Sequence, residues 1–159
     1  MQSLERNECM KRILVKSVYD AFEYVMDHYY PYGLEEFALH KDSYAVISIQ
    51  DTHTQGFGFR FAESSTCKGV LTLYFDDIVK EVEGAVLFSE KMADQIFEFV
   101  RKHESADTLL IHCYGGLSRS LAVGTFLSEI YGLKVQEGNI NQYVYGILGK
   151  KYQKCLQTV

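Results

Sequence analysis

The chain has 159 residues, is 47% hydrophobic and 14% aromatic and carries one proline, which suits one compact domain over residues 1–159 and excludes general disorder. A formal charge of -5 gives no basis for a broad nucleic-acid or anionic-membrane surface, although an acidic chain can still gather positive charge in a single anion pocket. Cys9, Cys67, Cys113 and Cys155 form neither a CxxC pair nor a dense disulfide pattern, and no spacing to the histidines suggests zinc. With no signal-like front and no transmembrane run, we expect a reducing, cytoplasmic setting, no membrane insertion, and no metal or other cofactor.

In chain order, "RILVK" (12–16) reads as a short strand. "SVYDAFEYVMDHYY" then places Val18, Phe22, Val25, Met26 and Tyr29 at helical spacing, with Ser17 and Asp20 able to cap reciprocally. Pro31 and Gly33 favour a break. "YAVISIQ" (44–50) is nearly continuous in its apolar character, as a strand buried on both faces is. The stretch from Asp51 to Gly69 is the least regular; Phe57, Phe59 and Phe61 alternate there, either as a short strand lining a groove or as aromatics pinning a long loop. "VLTLYF" (70–75) supplies the next strand.

"AVLFSEKMADQIFEFVRKH" (85–103) predicts a helix whose stripe of Phe88, Met92, Ile96, Phe99 and Val100 packs on a core. "TLLIH" (108–112) is a strand, and "SLAVGTFLSEIYG" (120–132) a helix closed by Gly132. A last helix is expected over 140–157, with Gly146 and Gly149 weakening its middle. Strands alternating with helices imply a single layered α/β domain with a central, mostly parallel sheet flanked by helices.

The junction "LLIHCYGGLSRS" (109–120) joins a predicted strand end to a helix start, with a thiol, two glycines and a guanidinium between them. Such a loop can turn the backbone N–H groups of Tyr114, Gly115, Gly116, Leu117, Ser118 and Arg119 inward, and the helix dipole adds to them, so that a tetrahedral oxyanion can be cradled. Gly115 and Gly116 allow tight or positive-φ backbone near the ligand. Arg119 brings a rigid fork suited to two phosphate oxygens. The same surroundings favour the Cys113 thiolate, and Ser120 can donate a hydrogen bond to it. His112 either orients the loop through its ring nitrogens or is simply a satisfied buried histidine.

"HCYGGLSRS" resembles the phosphate-binding loop of the cysteine-dependent protein tyrosine phosphatases, especially the dual-specificity group. That pattern is His-Cys, five residues, then Arg and Ser or Thr, with glycine three places after the cysteine; here the positions are His112, Cys113, Gly116, Arg119 and Ser120. Gly115 stands where alanine is frequent. A weaker resemblance extends from about residue 44 to residue 157.

The resemblance implies a dual-specificity-phosphatase-like domain that transfers a phosphoryl group to Cys113. A carboxylic acid then serves the leaving oxygen and afterwards the attacking water. It also implies that the acid follows the last apolar strand position with one residue between them, Phe75 being that position and Asp76 the residue between. In "LYFDDI" this favours Asp77, with Asp76 as the alternative. Near the last helix, Asn141 or Asn139 either supports the loop or caps the helix. The expected activity is hydrolysis of protein phosphotyrosine, with phosphoserine and phosphothreonine as further substrates and a phosphorylated protein or peptide as partner. RNA 5′-phosphates or phosphoinositides form a second reading, which the absence of lysine from the loop disfavours. A phosphopeptide-binding module of weak catalytic power forms a third.

Overall fold

The computed structural model describes residues 9–35, 42–53, 58 and 60–157. Among them are strands β1 (Arg12–Ser17), β2 (Tyr44–Gln50), β3 (Cys67–Tyr74) and β4 (Thr108–Cys113). The helices are α1 (Val18–Tyr29), α2 (Glu90–Lys102), α3 (Arg119–Tyr131) and α4 (Gln142–Gln157). The strands form one sheet in the order β1-β4-β2-β3, and every pairing is parallel. The molecule is thus a small α/β domain with a parallel four-stranded sheet flanked by helices. No helix among the described residues is long and apolar enough to cross a membrane.

Alternation along the strands sorts side chains between two apolar layers. Ala45, Ile47, Ile49, Leu109 and Ile111 face one layer together with residues of α2, α3 and α4. Tyr44, Val46 and Leu110 face the other, against Ala21, Val25 and Tyr29 of α1. Burial on both faces accounts for the nearly unbroken apolar reading of β2, in which every residue is buried.

Several expected boundaries and faces move. β3 begins at Cys67 and ends at Tyr74, so Phe75 lies just past the strand, its amide bonded to the Gln50 carbonyl at 3.2 Å. Residues 85–89 are not helical; Ser89 caps α2 by accepting the Met92 amide, and Phe88 packs against Phe75 with ring centroids 4.9 Å apart. α4 starts at Gln142, two residues after its expected start, and remains helical through Gly146 and Gly149. On α1 the buried stripe is Val18, Ala21, Val25 and Tyr29, while Phe22 faces outward. Ser17 Oγ accepts the Asp20 amide at 3.1 Å, which is one half of the expected reciprocal cap. Gly132 closes α3 in the left-handed conformation, with φ 67°. Phe57 and Phe59 lie outside the described residues.

The strand order places the site. β1 leads into α1 on one face of the sheet, whereas its neighbour β4 leads into α3 on the other. Chains that leave adjacent strands for opposite faces open a crevice at the carboxyl ends of those strands. The Cys113–Arg119 junction occupies that position.

Candidate functional site

Cys113 ends β4 and is only 2% exposed, with its side chain on the α3 layer. Its Sγ lies 3.0 Å from Ser120 Oγ and receives the Gly116 amide at 3.2 Å. An amide and a hydroxyl thus face this sulfur across the loop. Cys67, by contrast, is buried in the α1 layer, where burial pushes its thiol pKa up, and Cys9 and Cys155 are exposed.

The loop from Tyr114 to Ser118 is held against the start of α1, the Val18 amide donating to the Tyr114 carbonyl at 3.1 Å. Gly116 sits at φ 71°, and a Cβ there would collide with the backbone of Lys16 and Ser17. Glycine is therefore required by both conformation and space. Gly115 is not at positive φ, and an added Cβ would meet no other atom of the described residues within 4 Å. Tyr114 and Leu117 point their side chains outward.

Arg119 opens α3 and is 5% exposed, so its guanidinium is a buried charge that needs partners. Nη1 donates to the Phe75 carbonyl at 2.9 Å and lies 2.6 Å from Asp51 Oδ1. Nε is buried without an acceptor among the described residues. An unmet buried donor costs about 1–3 kcal/mol, so this nitrogen marks a place where an anion is stabilising. Asp51 carries no local sequence signal toward Arg119, which is why the motif alone misses it. The Ser118 hydroxyl does not cap α3 but turns to Asp77, leaving that helix start without a side-chain cap.

The adjacent aspartates have different surroundings. Asp76 is 6% exposed and accepts the Thr52 hydroxyl at 2.6 Å, the Thr52 amide at 3.2 Å and the Val86 amide at 2.7 Å, with His53 Nε2 at 3.7 Å. Burial acts to raise its pKa, but the Thr52 and Val86 bonds and the His53 charge outweigh it, and the net direction is downward. Asp76 thus ties the turn after β2 to the segment after β3 as a carboxylate. Asp77 is exposed, and its Oδ1 accepts both Ser118 Oγ and Asn141 Nδ2 at 2.9 Å. Asp77 Oδ2 has no hydrogen-bond donor among the described residues.

Asn141 both caps a helix and joins elements. Its Oδ1 accepts the Tyr143 and Val144 amides at the start of α4, while its Nδ2 reaches Asp77 and the Ile78 carbonyl. Its own amide donates to the Ser118 carbonyl at 3.2 Å. Asn139 is exposed, and it is Asn141 that makes these bonds.

His112 points into the α1 layer, opposite to Cys113. Nε2 lies 2.6 Å from Ser48 Oγ, Nδ1 lies 3.1 Å from the Cys113 carbonyl, and Gln50 Nε2 donates to Ser48 Oγ at 2.8 Å. Burial lowers the His112 pKa; the Cys113 carbonyl opposes this and the Arg119 charge adds to it, with a net downward direction. A neutral ring with the proton on Nδ1 satisfies both contacts, since Ser48 can then donate to Nε2. His112 is therefore buried with a contact at each ring nitrogen, one of them to the Cys113 carbonyl at the start of the loop. Phe61 packs near it, with centroids 5.3 Å apart.

Comparison of the chain with protein-family models, with curated proteins and with solved structures finds no match.

Proposed function

We propose that the protein is a phosphomonoester hydrolase of the cysteine-dependent tyrosine phosphatase type, nearest to the dual-specificity group. Its substrate is protein phosphotyrosine, with phosphoserine and phosphothreonine as further substrates. The observation that carries this reading is the convergence on one loop of Cys113 Sγ, bonded by Gly116 N–H and near Ser120 Oγ, and of a buried Arg119 whose Nε lacks an acceptor. A structural turn needs neither a buried unmet guanidinium nitrogen nor a sulfur facing donors.

In this mechanism the Cys113 thiolate attacks phosphorus and the bond to the leaving oxygen breaks, the oxygen taking a proton from Asp77. The phosphoryl oxygens are met by loop amides and the Arg119 fork, which fits the planar arrangement of the transition state. Water then attacks the cysteinyl phosphate, Asp77 takes its proton, and sulfur departs as thiolate toward the Ser120 hydroxyl. The Ser118 and Asn141 bonds to one Asp77 oxygen leave the other oxygen for this proton traffic.

The test compares wild type with C113S on phosphotyrosine and phosphothreonine peptides, phosphoinositides and RNA 5′-phosphates. Hydrolysis of phosphopeptides that C113S abolishes is the expected result. Turnover confined to lipid or RNA substrates would reassign the substrate, and binding of phosphopeptide without turnover by wild type would make the domain a binding module.

A further inference from the structure

We propose that Asp51 is a positioning residue for Arg119: it holds the guanidinium by Nη1 so that the opposite edge faces an anion at Cys113. Asp51 directly follows β2, and Phe75 directly follows β3. Their two acceptor oxygens converge on a single nitrogen of Arg119, at 2.6 and 2.9 Å. A guanidinium is planar and sends all its donors out in that plane. Acceptors from the ends of two neighbouring strands therefore fix both the plane and its rotation. The Nε–Nη2 edge is left over, and its Nε is the buried donor without an acceptor.

This inference rests on the phosphohydrolase reading and deepens it. Asp51 makes no bond to a bound phosphate, and its charge repels one. Its side chain is 25% exposed, so part of that repulsion reaches the crevice. The contribution of Asp51 therefore appears in the aim of Arg119 during the reaction rather than in affinity for the anion. Small misplacements of a group that stabilises a transition state cost far more in rate than in binding.

The experiment measures steady-state kinetics of D51N with a phosphotyrosine peptide, and calorimetric binding of inorganic phosphate to C113S and to C113S/D51N. Asparagine keeps an acceptor oxygen and removes the charge, so kcat is expected to fall about 10- to 100-fold with KM changed by less than about threefold. The dissociation constant of phosphate should be no weaker in C113S/D51N than in C113S, which also shows that the variant is folded. With R119K already in place, adding D51N should cause no further loss, because the aim of the native fork is already gone. An unchanged kcat, a phosphate affinity that falls in step with kcat, or fully multiplicative effects of D51N and R119K would overturn the inference. Failure of the proposed function is recognised separately, because wild type would then show no hydrolysis and C113S no phosphate binding before any change at Asp51.

Discussion

Asn141 donates from Nδ2 to Asp77 Oδ1 at 2.9 Å while its own Oδ1 accepts the Tyr143 and Val144 amides that begin α4. One amide side chain thus joins a helix start to the proposed acid, and a second bond from Ser118 joins that acid to the start of α3. Replacing Asn141 with alanine removes the cap and leaves Asp77 tethered by Ser118 alone. N141A is expected to lose about 0.5–2 kcal/mol of stability in denaturant unfolding. It should also slow alkyl phosphate hydrolysis more than hydrolysis of activated aryl phosphates. Equal slowing of both would show that the bond to Asp77 has no part in proton transfer.

The two aspartates should separate cleanly. D77N is expected to slow substrates with poor leaving groups strongly, by about 10²- to 10⁴-fold, and to affect activated aryl phosphates much less. D76A, which deletes the acceptor of the Thr52 and Val86 bonds, should instead lower stability by about 1.5–3 kcal/mol. Leaving-group dependence and urea unfolding on the same samples check both expectations. A selective kinetic loss in the Asp76 variant alone would shift the acid by one residue.

The neighbouring glycines provide a steric test. G116A must place a Cβ into the Lys16–Ser17 backbone at positive φ, so loss of activity with a destabilisation of about 1–3 kcal/mol or more is expected. G115A meets open space and should stay within about 0.5 kcal/mol of wild type. Thermal unfolding and phosphatase assays of the two variants decide the matter, and a tolerated G116A would contradict the loop conformation.

The depressed pKa of His112 has a consequence for pH. Above its ordinary value of 6.5 the ring is neutral whether the chain is folded or not, and the burial of a neutral ring contributes fully to stability. Below that value the unfolded chain binds the proton first, so stability falls as pH drops toward the lower folded value. Urea unfolding between pH 7.5 and about pH 5 should show this decline, and H112Q should make it shallower, leaving the share of His103, whose pKa burial also lowers. A wild-type curve that is flat, or that rises toward acid, would place a charged imidazolium in the folded protein.

Local spacing carried much of this information. The strands at 44–50 and 108–113 were legible because a strand covered on both faces has little need of polar residues, and the Cys113–Arg119 loop because its parts lie within one turn between elements. Ser48 and Gln50, polar residues inside an apolar run, were the available sign of the buried network that reaches His112. Residues 85–88 read as helix because Phe88 falls on the helical stripe, yet that ring is buried from irregular backbone that packs on Phe75. Asp51 and Arg119 are distant in sequence and meet only because β2 and β4 pair, so no local pattern could announce the contact. The unequal bonding of Asp76 and Asp77 is likewise tertiary, set by Thr52, Val86, Ser118 and Asn141.

The central claim is that phosphorus passes through Cys113. The most direct measurement mixes wild-type protein with a phosphotyrosine peptide, quenches in acid within a single turnover, and locates phosphate by mass spectrometry of the digested chain. The account predicts phosphate on the peptide containing Cys113, absent from C113S and longer-lived in D77N, where the attacking water lacks its base. Rapid hydrolysis by wild type with no phosphate on Cys113 at any quench time, matched by comparable hydrolysis by C113S, would contradict it.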